Sequence, residues 1–340
     1  MRKIIALEEH LATPRIADAW KEAPDAERDG YTQFTKVGKG AGAPGERLLD
    51  LGAGRLADMD DQGIDLQVLS VTTPGVQNLT PDVAVPLARE ANDAIAAAVR
   101  SHPDRFEGFA TLPTPDPAAA AEELDRAVTR LGFSGAMLLG RTGAKNIDHP
   151  DFEPIWATAA RLRAPIYLHP QMPVPAVRDA YYSGIDPITD FLLGGPGIGW
   201  HYETGVQLLR LILSGTFDRH PHLQLIIGHW GEVVLFYTER LAKMQQWKQL
   251  SLDRPLIDYF RSNVSYTGSG DLSDRYLRWT IDVVGVERIM YATDYPFVDT
   301  GAGQARRFLE NANLTDTERN AIAHGNWERL TAHLPAPARP

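Results

Sequence analysis

Four short stretches of the sequence hold residue types that catalysis needs: Leu7-Glu8-Glu9-His10, Leu168-His169-Pro170, Gly228-His229-Trp230-Gly231-Glu232 and Thr293-Asp294-Tyr295-Pro296-Phe297. Residues two apart on an extended chain point the same way, so Glu8 and His10 can aim together at one target. Imidazole nitrogens and carboxylates in a chain without cysteine suit a divalent ion such as zinc, manganese or magnesium. His229 and Glu232, three apart at a turn, can form a hydrogen-bonded pair in which the carboxylate fixes the imidazole tautomer. Each stretch alone has an ordinary reading as a solvated strand end or a core histidine. Their convergence on one site is what argues for chemistry.

Convergence requires elements that bring the four stretches together. Eight apolar runs of strand length recur along the chain: Ile4–Leu7, Leu66–Val71, Phe106–Leu112, Gly135–Leu139, Pro165–Leu168, Leu223–Gly228, Asn263–Tyr266 and Arg288–Ala292. Between them, apolar residues three or four apart predict helices over Val83–Ser101, Pro117–Leu131, Phe152–Arg161, Thr204–Ser214, Glu232–Gln249 and Leu272–Val284. Alternating strands and helices predict an α/β fold with a parallel sheet, and eight strands close a (β/α)8 TIM barrel. All four stretches then lie at C-terminal strand ends, the rim on which such barrels carry their active sites. Lys21–Gly54 after strand 1 and Pro170–Gly199 after strand 5 read as long loop insertions covering that rim. Residues 1–333 are expected to form one domain, with 334–340 as a proline-rich tail.

The formal net charge of -10 argues against nucleic acid as a partner, which leaves a small molecule as the expected ligand. No apolar stretch approaches the length of a membrane span. The apolar run after Arg2 and Lys3 stops at Glu8, too short for a signal-peptide core, so a cytoplasmic enzyme is expected. Trp230, Tyr295 and Phe297 sit beside the polar stretches and could wall a slot for a flat ring.

Taken together, these stretches resemble the decarboxylase branch of the amidohydrolase superfamily, in particular the γ-resorcylate and 2,3-dihydroxybenzoate decarboxylases. Arg55-Leu56-Ala57-Asp58-Met59, Pro74-Gly75-Val76-Gln77, His102-Pro103-Asp104-Arg105-Phe106 and Leu131-Gly132-Phe133-Ser134-Gly135 extend the likeness along nearly the whole chain. Hydrolytic members commonly begin with His-x-His, whereas the resorcylate-type enzymes resemble this chain in having Glu-x-His. The resemblance implies that Glu8, His10, His169 and Asp294 hold one divalent metal, that His229 and Glu232 act beside the substrate, and that Arg240 contacts it. It also implies a homodimer or homotetramer and no organic cofactor. Leu139 and Gln171 stand where resorcylate-type enzymes carry Asn and Arg, which implies a shifted substrate preference.

The implied reaction is loss of carbon dioxide from an ortho-hydroxybenzoate, such as 2,3- or 2,6-dihydroxybenzoate or a salicylate. Direct departure of carbon dioxide would leave an aryl anion, so the ring carbon bearing the carboxylate must first be protonated, with Asp294 as the acid. The alternative is hydrolysis of a lactone, ester or amide by a metal-activated water.

Overall fold

The computed structural model describes residues 3–23, 44–246 and 251–335. Seven parallel strands form one sheet in sequence order: β1 Ile5–Leu11, β2 Leu66–Val71, β3 Phe106–Thr111, β4 Gly135–Leu138, β5 Ile166–Leu168, β6 Leu225–Ile227 and β7 Val264–Tyr266. The expected eighth strand, Arg288–Ala292, is not a continuous one. A 3-10 turn occupies Val286–Arg288, and the following residues make isolated parallel bridges, Ile289 to Tyr266 of β7 and Tyr291 to Ala6 of β1. Met290 N donates to Tyr266 O at 2.8 Å and Leu7 N to Tyr291 O at 3.0 Å, so this short run links the two edges of the curled sheet without a ladder of its own.

Side-chain alternation divides the core into two layers. Ile5, Leu7, Leu66, Val68, Phe109, Met137, Tyr167, Ile226 and Met290 pack together as one cluster, which Trp327 joins with its ring 5.6 Å from that of Phe109. Their neighbours Ile4, Ala6, Leu69, Ala110 and Ile227 belong to the larger cluster formed with the helices. A bulge in β1 breaks the alternation where function needs it: Ala6 pairs with Gln67, but Glu9 pairs with Leu69, so one extra residue lies on β1. Regular alternation would turn Glu9 to the side that Ile5 and Leu7 occupy. The bulge instead lets Glu8 reach Tyr167 of the inner cluster, while Glu9 faces Gln67.

Most expected helices form, with shifted ends: Pro81–Ser101, Pro117–Arg126, Glu153–Leu162, Gly199–Leu213 and Asp274–Val284. The helix expected over Glu232–Gln249 does not form as one element. His229 to Val233 all have positive φ, a left-handed turn, followed by the 3-10 turn Val234–Tyr237, the helix Thr238–Ala242 and the 3-10 turn Lys243–Gln246. A run of left-handed residues cannot continue into a right-handed helix, so helical spacing misled here. Residues 247–249 lie outside the described residues, as do 336–340 of the expected tail.

Residues 24–43 of the expected insertion after β1 likewise lie outside the described residues, and the segment ends in the helices Pro44–Leu49 and Ala53–Gln62. The segment after β5 is partly helical, with Pro175–Tyr181 and Pro187–Leu192 preceding the π turn Leu193–Gly197. Among the described residues, no helix is long and apolar enough to cross a membrane.

Candidate metal centre and its cavity

Glu8, His10, His169 and Asp294 come together as expected: each offers a ligand atom, and these atoms all lie within 4.8 Å of one another. His169 Nε2 is 3.2 Å from Glu8 Oε1, and His10 Nε2 is 3.3 Å from Asp294 Oδ1. The inward atoms are prepared by the bonds their opposite ends make. Glu8 Oε2 accepts hydrogen bonds from the Tyr167 hydroxyl at 2.6 Å and from Ser269. His169 Nδ1 lies 2.8 Å from the Pro170 carbonyl, which requires the proton on Nδ1 and leaves the Nε2 lone pair facing the cluster. Glu8 Oε1 and His10 Nε2 are buried without a hydrogen-bond partner among the described residues. Two carboxylates and two imidazoles with such orphaned atoms fit a divalent cation, which would satisfy them and cancel the carboxylate repulsion.

The electrostatics agree. Burial by itself would raise the Glu8 pKa, but the imidazoles gathered around it, His169 first and then His229 and His10, hold it well below the usual carboxylate range. Burial, reinforced by repulsion from Glu8, pushes Asp294 well above that range. Burial and the neighbouring His169 keep His10 far below the usual imidazole value, in the neutral form a metal requires.

Glu9 positions the cluster from behind. It accepts hydrogen bonds from Gln67 Nε2 at 3.0 Å, Thr293 N at 2.8 Å and Thr293 Oγ1 at 2.6 Å, which ties the residue preceding Asp294 to β1. Fully buried Arg55 donates to Gln67 Oε1 at 3.2 Å and to the His10 carbonyl. Its guanidinium lies 4.5 Å from the centroid of the Tyr295 ring, and the Tyr295 hydroxyl donates to Asp58 at 2.7 Å. Tyr295 therefore serves this supporting network, and it is not among the residues lining the cavity.

His229 Nδ1 lies 2.6 Å from Glu232 Oε1, the expected pair. Burial disfavours the His229 imidazolium, but the charges of Glu232, Glu8 and Asp294 outweigh it and raise the pKa to about 10. Burial likewise opposes the Glu232 carboxylate, yet His229 and His201 hold it below its ordinary value. His229, Trp230 and Asp294 line a cavity of about 710 Å³ together with Trp200, His201, Phe236 and Tyr237. Trp230 is held there by its indole N–H, which donates to the Asp271 carbonyl at 2.8 Å. Phe297 is outside that lining, with its ring 5.7 Å from that of His10. Arg240 is exposed on the helix Thr238–Ala242 and also lies outside the lining.

Leu139 is buried in the inner cluster, and Gln171 lines a second cavity of about 490 Å³ with Arg141 and Arg178. His201, near the start of the helix Gly199–Leu213, is the site residue that sequence reasoning missed. It follows no strand, and only the length and glycine content of the preceding segment hinted that something there reaches the rim.

The Amidohydrolase family model matches residues 16–330. The decarboxylase orsB of Emericella nidulans is 36% identical over 334 residues, covering 96% of each chain. The gamma-resorcylate decarboxylase of Rhodococcus jostii is 35% identical, covering 97% of this chain and 98% of that protein. A 5-carboxyvanillate decarboxylase from Novosphingobium aromaticivorans, solved with manganese and 4-hydroxy-3-methoxy-5-nitrobenzoic acid, superposes with a TM-score of 0.89 at 34% identity, covering 97% of this chain and 96% of that one. A family match over most of the chain, with relatives aligned nearly end to end, establishes that this protein belongs to the amidohydrolase family.

Proposed function

We propose that this protein is a metal-dependent, non-oxidative decarboxylase of an ortho-hydroxybenzoate-type acid, such as 2,3- or 2,6-dihydroxybenzoate or a salicylate. The observation that carries the reading is the quartet of buried Glu8, His10 and His169 with partly exposed Asp294, with two unpartnered atoms turned inward and Asp294 opening onto the cavity that His229 lines. The similarity to gamma-resorcylate and 5-carboxyvanillate decarboxylases supports it.

In this reading the quartet holds one divalent ion, manganese by analogy with the carboxyvanillate enzyme, with zinc and magnesium as alternatives. When bound, the ion supplies positive charge for the hydroxyl and carboxylate oxygens of the substrate. Asp294 delivers a proton to the ring carbon that bears the carboxylate. The carbon–carbon bond then breaks, its electrons restore the aromatic ring, and carbon dioxide leaves. His229 holds and returns the proton beside Asp294, and Glu232 fixes its tautomer. Trp230 flanks the ring from the cavity wall, whereas Phe297, beside His10, lies outside that lining and Arg240 enters this reading only through the resemblance. The chemistry requires no organic cofactor.

The finer architecture belongs to the same proposal. Residues 288–292 complete a (β/α)8 barrel, residues 1–333 form one domain, the segment after β5 covers the cavity, and two or four copies associate in the cytoplasm.

The test combines metal analysis with two parallel assays: carbon dioxide release from hydroxybenzoates, and opening of lactones, esters and amides. Release from ortho-hydroxy acids, and none from 3- or 4-hydroxybenzoate, is expected. Hydrolysis without carbon dioxide release would replace the decarboxylase reading.

A further inference from the structure

Glu232 serves two imidazoles, not one. It is fully buried, and its two oxygens are divided between His229 Nδ1 at 2.6 Å and His201 Nδ1 at 2.7 Å, with the two rings 4.6 Å apart between centroids. We propose that His201 is a positioning residue of the proton-transfer machinery: its Nδ1–H holds the Glu232 carboxylate in the orientation from which Glu232 grips His229. Its kinetic readout rests on the decarboxylase reading.

Three features argue for this role. A buried carboxylate with a single donor has one anionic oxygen unsatisfied and is free to turn, whereas two opposed donors fix its plane. The other side of the His201 ring accommodates Nδ1 as a donor in either protonation state. Nε2 lies 3.2 Å from the Trp200 indole N–H and 3.1 Å from the Pro196 carbonyl. The indole only donates and the carbonyl only accepts, so a ring protonated on Nδ1 alone takes the first and a doubly protonated ring the second, while the remaining tautomer would set an Nδ1 lone pair against the Glu232 carboxylate. In both states Nδ1 carries its proton toward Glu232.

Finally, His201, His229 and Glu232 are close enough to suggest a second metal site, but the contacts argue otherwise. Each Nδ1 faces a Glu232 oxygen at hydrogen-bond distance, which commits both nitrogens and both carboxylate oxygens to hydrogen bonds, and His201 Nε2 is taken up by the Trp200 indole and the Pro196 carbonyl. A zinc ligand would instead turn a lone pair toward an ion about 2.0–2.1 Å away.

The test compares His201→Phe, which removes the donor, with His201→Asn, whose amide N–H can occupy the Nδ1 position. In the metal-loaded enzyme His201→Phe should lower kcat about tenfold with KM within about twofold of wild type, and His201→Asn should recover most of the loss. Unchanged kcat in His201→Phe, or no recovery in His201→Asn, overturns the proposal. A second ion per chain that disappears in His201→Phe overturns it as well. Nitrogen NMR of histidine-labelled protein reads the arrangement without turnover: both rings should carry the proton on Nδ1, and the His229 Nδ1–H resonance should shift in His201→Phe. An unmoved resonance overturns the role of His201, whereas a wild-type protein that decarboxylates nothing overturns only the decarboxylase reading.

Discussion

The Tyr167 hydroxyl donates to Glu8 Oε2 at 2.6 Å in the interior of the parallel sheet, where both side chains are fully buried. Ser269 donates to the same oxygen, so Oε1 alone is left for the metal cluster. Tyr167→Phe keeps the ring and its packing but leaves Ser269 as the one donor holding the Glu8 carboxylate, which loosens its orientation. Metal affinity should fall by about 10- to 100-fold, measured by competition with a chelator, with little change in the folded spectrum. Unaltered affinity would mean that Tyr167 serves packing alone.

Asp294 is both a member of the quartet and the proposed acid. In Asp294→Asn the amide nearly preserves shape but cannot deliver the proton. Carbon dioxide release should become undetectable in a protein that stays folded, even at metal concentrations high enough to restore occupancy. Retained turnover at full occupancy would remove the acid role from Asp294.

The His229–Glu232 pair predicts a pH-dependent stability in the metal-free protein. His229 is raised from 6.5 to about 10, so the folded state holds the proton more tightly than the unfolded chain does. The stabilisation is fully present below pH 6.5 and is lost as pH rises through about 10. Urea titrations should therefore show stability falling across that window, and His229→Gln should flatten this part of the profile. An equal slope in the variant would assign the effect to other groups.

What was legible in the sequence follows from locality. Glu8, His10, His169 and Asp294 each end a short apolar run, so a local pattern together with strand closure is enough to bring them together. Met290 and Tyr291 look like any other strand, yet the run makes only isolated bridges to β1 and β7, a property of the two edges that it joins. The left-handed turn at His229 to Val233 is invisible to a helical-period reading, because four of its five residues are not glycine. His201 reaches Glu232 from 31 residues away along a helix whose own pattern records only its packing.

That helix can approach the left-handed turn because residue 205 is glycine. A Cβ built on Gly205 would lie 2.6 Å from the Glu232 carbonyl oxygen and 2.8 Å from Val234 Cγ1, and both positions are tighter than packing allows. His201 is four residues earlier, on the same helical face, so the distance that Gly205 permits is also the distance over which His201 meets Glu232. Gly205→Ala raises intrinsic helix propensity, which would stabilise the helix if nothing stood against it. The close backbone contact should win instead, costing about 1–3 kcal/mol of stability in denaturant titration and lowering kcat in the same direction as His201→Phe. A variant that gains stability with unchanged kcat would show that the turn yields to the added methyl and that its spacing from the helix does not matter.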